Sequence, residues 1–357
     1  MRFLFLFLAL LSLTLPAWAD TPAARFAVTD LGVFSVHSPH AGGAMALNDR
    51  GLVVGGFGHA FLWDGDKASD LGSLPPEGAE DRAESIAYGI NNHGQIVGSS
   101  GSFGPLFMSG LQFARGILYE NNQLHQLTQR NASFEPYAIN DKGQIAGLNG
   151  YRGFFYENGR LTQIGTLSSV PVGNRSTARA LNSKGEVVGW STVNNRLCVV
   201  TGALPTHAFL WHRGVRAGRM RDLGTLPGWV GSYAYGINDR GEVIGSVSDT
   251  ASGTYGVSPN AHAQAFLWRG GKISGLGTLP GSRNSEAFGI NNATTIVGQS
   301  GGKAFLWRGG KMRDLNTLLP AGAGWILEDA RAINAKGQIA GDGTFHGLSH
   351  AFLLTPD

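Results

Sequence analysis

The sequence predicts an all-β protein: a seven-bladed β-propeller of four-stranded antiparallel blades, with the last blade closed by the N-terminal strand. Three observations carry that expectation. A turn motif built on Asn recurs seven times, at Asn48, Asn91, Asn140, Asn182, Asn238, Asn291 and Asn334, with spacings of 42 to 56 residues. A period in this range marks a repeat architecture. Each copy is followed by an apolar motif of the HAFLW type, and the last copy stops one strand short while a matching strand stands near the N-terminus.

The turn is clearest in the stretch Ala234 to Gly245, AYGINDRGEVIG. Two apolar runs, Ala234–Ile237 and Val243–Gly245, face each other across Asn238-Asp239-Arg240-Gly241. Asn and Asp at the start of a turn hydrogen-bond the backbone two residues on, and a closing Gly takes the positive φ that a bulged turn requires. Six copies carry that Gly, at Gly51, Gly94, Gly143, Gly185, Gly241 and Gly337, and the sixth copy in the chain has Thr294 instead. These hairpins supply strands a and b of each unit. Consecutive apolar residues such as Ile96-Val97 and Val187-Val188 fit strands covered on both faces. Small residues, Ala44, Ala87, Ala178, Ala234, Ala287 and Ala330, recur in strand a, as expected where sheets crowd around an axis.

Strand c follows as HAFLW at His59–Trp63 and His207–Trp211, QAFLW at Gln264–Trp268, KAFLW at Lys303–Trp307 and HAFLL at His350–Leu354. Weaker copies are RGILY at Arg115–Tyr119 and RGFFY at Arg152–Tyr156. Tight-turn residues come next, such as Asp64-Gly65 or Arg269-Gly270-Gly271, and then a short strand d such as Arg221 to Leu226. The a–b and c–d turns are tight, and the b–c and d–a links vary in length.

The ends of the chain decide between a closed ring and the alternative, an open β-repeat solenoid. The seventh unit ends after strand c at Leu354, and Thr29-Asp30-Leu31-Gly32 matches the strand d motif of Asp70-Leu71-Gly72 and Asp222-Leu223-Gly224. The N-terminal strand is thus expected to complete the last sheet. Closure hides strand edges that an open array would have to cap.

The AxGIN and GxIVG hairpin, HAFLW, and DLGTLPG at Asp222–Gly228 resemble the motifs of the HAF-repeat family of bacterial extracellular proteins, over essentially the whole chain after residue 19. The resemblance implies secretion by a bacterium and a repeat protein without a well-defined activity. Some members carry a C-terminal sorting anchor, and no such segment is read before Asp357.

Residues 1–19 read as a signal peptide: Arg2, the apolar Phe3–Leu15, and an A-x-A cleavage site at Ala17-Trp18-Ala19. Residues 20–357 are then a single exported propeller domain, secreted or, alternatively, periplasmic. Beyond the signal, nothing approaches the roughly 18 apolar residues of a membrane span. With 28 basic and 25 acidic residues in the chain and no basic run, nucleic acid is a poor partner. The one cysteine, Cys198, lies in the apolar run Leu197 to Val200, which reads as a buried thiol, and it leaves no internal disulfide. Glycine, at 54 residues, recurs at fixed places in the repeats and is turn chemistry rather than low complexity.

All the length variation collects on the face that carries the b–c and d–a links, where rigid scaffolds commonly place recognition residues. The link Ser99–Ala114 holds Phe103, Phe107 and Phe113, and reads either as a lid folded onto blade two or as a partner patch. Ser246–Ala263, with Tyr255 and His262 among Ser, Thr and Gly, reads as a polar contact surface. The channel mouth is the second candidate. Glu135, Tyr233, Glu286 and Asp329 precede the small position of strand a, and Arg179, Tyr235 and Arg331 lie one step inside. Such residues suit a sugar or peptide through stacking and bidentate hydrogen bonds, or else the arginines neutralise the acids and plug the channel.

Other motifs carry less. Gly298 to Gly302 spells GxSxG, but a nucleophile elbow needs strand–turn–helix, and this position ends strand b. His59, His207 and His350 recur with strand c, and Gln264 and Lys303 replace them in sister units, so a structural role at the strand start is expected. No zinc, redox, calcium or phosphate-loop pattern appears, so neither cofactor nor metal is expected. The leading functional expectation is an exported, non-enzymatic binding or scaffold protein that recognises a glycan or exported protein through the variable-loop face. Two alternatives stand beside it. One is a carbohydrate-active hydrolase or lyase using carboxylates near the channel, and the other is a structural component of an extracellular matrix.

Overall fold

Each Asn-turn motif folds as a hairpin whose first residue closes the turn by its backbone: Asn238 N donates to Glu242 O at 3.1 Å, and Gly241 N to Asn238 O at 3.0 Å. In the sixth blade Thr294 takes the Gly position with φ of 54°, a left-handed conformation costly for a β-branched side chain. Its hydroxyl is held by Glu242 of the preceding blade at 2.9 Å.

The computed structural model describes residues 26–32, 43–75, 84–102, 112–127, 133–169, 174–193, 205–214, 218–250 and 262–357. The signal segment 1–19, Cys198, Phe103, Phe107, Tyr255 and the side chain of Phe113 lie outside them. Among the described residues there are seven four-stranded antiparallel sheets and no α-helix. Blade one comprises Ala44–Leu47, Val53–Phe57, His59–Trp63 and Ala68–Gly72. The innermost strands of blades two to seven are Glu84–Ile90, Phe134–Ile139, Ser176–Leu181, Gly231–Ile237, Glu286–Ile290 and Trp325–Ile333. Strands b and c of blade two run to Ser102 and start at Gln112, so the apolar link is shorter than the sequence motif suggests.

The ring is closed. Phe26–Gly32 pairs antiparallel with Leu348–Pro356 as the fourth strand of blade seven, with Val28 opposite Leu354. Strand a of blade seven also packs against strand a of blade one. The open solenoid is excluded.

Packing explains the repeat. Val187 and Val188 are both fully buried yet belong to opposite faces: Val187 packs with Phe155 and Phe209, and Val188 with Val243 and Phe266. The aromatic at the centre of strand c, Phe154, Phe209, Phe266, Phe305 or Phe352, is fully buried. Each such side chain contributes about 1.5–3 kcal/mol by leaving water. Ala44, Ala87, Ala178, Ala234, Ala287 and Ala330 are completely buried where the sheets converge. Serines latch neighbouring blades. Ser85, Ser176, Ser232 and Ser285 accept from the amides of Ala60, Gly153, Ala208 and Ala265. The same hydroxyls donate to the carbonyls of Gly72, Gly165, Gly224 and Gly277.

Candidate functional site in the propeller lumen

The lumen is built by one backbone irregularity repeated in every blade. Pairing of strands a and b slips by one residue, and the extra residue is Met45, Tyr88, Tyr137, Arg179, Tyr235, Phe288 or Arg331 in blades one to seven. A bulge bends its strand and re-aims the side chain it carries. Opposite each bulge lies a strand-b glycine: Gly55, Gly98, Gly147, Gly189, Gly245, Gly298 or Gly341. A Cβ there would overlap the carbonyl oxygen of the strand-a residue that precedes the small position. The glycine permits the bulge, and the bulge places the ring.

The ring residues are half-buried and meet one another across blades. Tyr88 and Tyr137 are 5.2 Å apart edge to face, and Tyr235 and Phe288 are 5.8 Å apart. The Arg179 guanidinium lies 4.7 Å from the Tyr137 ring centre, and that of Arg331 5.6 Å from the Phe288 ring centre. Carboxylates stand two residues upstream, nearer the variable links: Glu135, Glu286 and Asp329.

The arginines are used differently. Arg331 bonds Asp329 at 2.9 Å and Asp342 at 3.2 Å. Asp342 also accepts from Ala44 N at 2.9 Å and so ties blade seven to blade one. Burial pushes the Asp342 carboxyl up to about 6, against the lowering pull of Arg331 and the Ala44 amide. Arg179 has no carboxylate within ion-pair distance among the described residues and rests on Tyr137. Glu135 accepts from Tyr137 Oη at 2.8 Å. Glu286 accepts longer bonds from Tyr235 Oη and Gln299 Nε2, both 3.3 Å, and from Ser246 Oγ at 3.4 Å. Burial raises both glutamates above the usual carboxyl range, although those donors and, for Glu135, Arg179 oppose it. Burial and the neighbouring carboxylates likewise raise the phenols of Tyr88, Tyr137 and Tyr235.

Tyr233 is a correction. It is fully buried, edge-on to Trp190 at 5.7 Å, and supports the wall instead of facing a ligand. The structure brings together Glu135 and Arg179 on one side, and Tyr235, Glu286, Asp329 and Arg331 on the other. Sequence reasoning missed Ser246, Gln299 and Asp342. All three occupy one register position, directly after the strand-b glycine, and aligning the seven repeats there exposes them. His262 is exposed and pairs with Asp249 at 3.0 Å, at the foot of the blade-five link.

The recurrent histidines join strands c and d: His59 to Asp70 at 2.9 Å, His207 to Asp222 at 2.9 Å and His350 to Asp30 at 2.8 Å. Burial works to raise the Asp222 carboxyl, but His207 and the Gly224 amide hold it below its usual value. Ser300 of the GxSxG stretch is fully buried and donates to Asn284 O at 2.9 Å, which ties the end of strand b to the segment that leads into strand a.

The opposite mouth is uniform. A ring of Leu47, Ile90, Ile139, Leu181, Ile237, Ile290 and Ile333 lies below the seven turn asparagines, around a cavity of about 240 Å³. Among the described residues, no group of three or more His, Cys, Asp or Glu is placed to hold a metal ion. No helix there is long and apolar enough to cross a membrane.

These features define the class, a seven-bladed β-propeller with a polar, aromatic-lined lumen. No family model matches the chain, and neither does any curated protein. Solved structures share its fold. The extracellular domain of a putative one-component system from B. thetaiotaomicron aligns with TM-score 0.53 and 10% identity over 92% of this chain and 39% of that one. A chain of the mitotic checkpoint complex aligns with TM-score 0.53 and 11% identity over 100% and 99% of the two chains. The chain thus spans 39% of the length of the B. thetaiotaomicron domain. At these identities the likeness is one of architecture.

Proposed function

We propose that the protein is an exported binding or scaffold protein of the HAF-repeat type, recognising a glycan or another exported protein through the variable-loop face and the adjoining lumen. One observation carries this reading: the lumen is asymmetric along its axis. At the Asn-turn end seven equivalent aliphatic side chains line it, whereas the end near the variable links gathers Tyr, Arg and carboxylate side chains that differ from blade to blade. Repeats under purely structural demand have no need of such differences. The test is a glycan and exported-protein binding screen on the chain lacking residues 1–19. It is repeated with 249–262, the link between strands b and c of blade five, replaced by a short linker and with Arg179→Ala. Binding that survives both changes would remove the loop face and lumen from consideration.

A carbohydrate-active hydrolase or lyase is the second reading, favoured by Glu135 and Glu286. A carboxyl held above its usual range by burial is the property a general acid requires. Product release from a polysaccharide panel, abolished by Glu286→Gln or Glu135→Gln, would establish it, and absence of products would dismiss it.

A further inference from the structure

The lumen layer holds four carboxylates, Glu135, Glu286, Asp329 and Asp342, against two guanidiniums, Arg179 and Arg331. Its fixed charges therefore leave an excess of two negatives. The two arginines show how this layer takes a cation, each lying over the aromatic ring of the preceding blade, Arg179 on Tyr137 and Arg331 on Phe288. Tyr88 and Tyr235 depart from the pattern, because the next blade presents Tyr137 and Phe288 to them and no arginine. Glu286, beside Tyr235, is left with three neutral donors at 3.3 to 3.4 Å. Among the described residues it has no cation within ion-pair distance.

We propose that the gap at Tyr235 and Glu286 is a subsite for an organic cation, a primary ammonium or guanidinium group carried by the ligand. This rests on the binding reading above and names the chemistry recognised there. The carboxylate supplies the charge, and Ser246 and Gln299 hold it in place. The aromatic wall of Tyr235 and Phe288 attracts a cation through the negative faces of its rings, an attraction that strengthens where water is displaced. An anionic group entering the same position would meet Glu286 and Asp329 together. Either a basic polypeptide or an amino sugar could present the cation, and the chemistry is shared.

Isothermal titration of the chain with agmatine, trilysine and glucosamine tests this, with glucose and galacturonate as neutral and acidic probes. Saturable binding of at least one cationic probe is expected, weakened about tenfold or more by Glu286→Gln and by Tyr235→Leu. Asp141→Asn, at the opposite mouth, should bind as the parent chain does. Trilysine or agmatine binding without glucosamine assigns the cation to a polypeptide or polyamine, and glucosamine binding assigns it to a glycan. Circular dichroism and melting confirm that each variant is folded. Failure of all cationic probes, preference for galacturonate, or unchanged binding in folded Glu286→Gln overturns the proposal. If a ligand from the wider screen still binds the loop face in that case, the subsite falls and the binding function stands.

Discussion

Asn334 donates from Nδ2 to the main-chain carbonyl of Asn48 at 3.0 Å, across 286 residues of sequence. The same bond runs from Asn48 to Asn91, Asn140, Asn182, Asn238, Asn291 and back to Asn334, at 2.9 to 3.2 Å, and forms a circle of side-chain amides. Each Asn Oδ1 caps its own turn, as Asn238 does by accepting from Arg240 N and Glu242 N, both at 3.0 Å. One side chain therefore shapes a hairpin and fastens it to the next blade.

Asn238→Ala should destabilise the fold by about 2–4 kcal/mol. Several hydrogen bonds disappear together: the amides of Arg240 and Glu242 lose Oδ1 as their acceptor, and the carbonyl of Asn291 keeps only the Thr294 amide. Asn238→Asp should be at least as harmful, because it keeps the acceptor but loses both donors and sets a carboxylate against Glu242, now bonded at 2.6 Å. Urea midpoints at constant m-value report the change. A midpoint for Asn238→Ala equal to that of the parent chain would show that the amide ring is ornamental.

Gly245→Ala should cost about 2–4 kcal/mol or abolish soluble expression, since its methyl group would overlap the carbonyl of Tyr233 and undo the bulge at Tyr235. Gly65→Ala is the comparison. That glycine has φ of 105° but open space around it, and the expected cost is about 1 kcal/mol of backbone strain. Thermal melts of the two variants should separate clearly. The bulge also predicts that fold loss and lumen loss go together in the Gly245 variant.

How much of this was legible follows from where each residue acts. The Asn turns, the blade count and the N-terminal closure were all readable, because hairpin chemistry is local and recurs at a fixed period. The reach of Asn Nδ2 to the next blade was not, since nothing in a single repeat shows what lies beside it. Glu135, Arg179, Tyr235, Glu286, Asp329 and Arg331 were found by position in strand a. Tyr233 shares that register but turns into the wall against Trp190, a matter of packing rather than pattern. Asp342 escaped notice because it sits on strand b, and its role comes from blade one, whose Ala44 amide it accepts.

Asp342 also gives the fold a pH dependence of definite sign. Burial raises its folded carboxyl from the usual 3.8 to about 6, so the folded state binds more protons than the unfolded chain between those values. Stability contributed by this group is fully present below about pH 4 and is lost as pH rises through about 6, by a total on the order of 3 kcal/mol. Asp222 acts in the opposite sense and in another window, because its lowered carboxyl loses stability only as pH falls below 3.8. Denaturant titrations from pH 4 to 7 should show a falling limb in the parent chain that is flattened in Asp342→Asn. A limb unchanged in that variant would assign the titration elsewhere.

Closure by the N-terminal strand makes the last prediction. Leu31 is 2% exposed among Phe61, Ala351 and Leu353, and Phe26 is 4% exposed among Leu327, Phe352 and Leu354. Removing two such side chains from their clusters costs about 4–10 kcal/mol, comparable to the whole stability of a typical domain. A chain beginning at residue 33 would also present Leu348–Pro356 as an unpaired strand edge, a template for pairing with other copies. It should be recovered as aggregates or oligomers in size-exclusion chromatography, and a peptide spanning residues 26–32 added during refolding should restore the monomer-sized species. Asp30→Asn isolates the polar part of the clasp. It weakens the 2.8 Å bond to His350 but retains an acceptor for the Gly32 amide, now bonded at 2.9 Å, so its effect should be modest. If the shortened chain instead eluted and melted as the full chain does, the ring would hold without its closing strand, and the seven asparagine bridges alone would have to account for it.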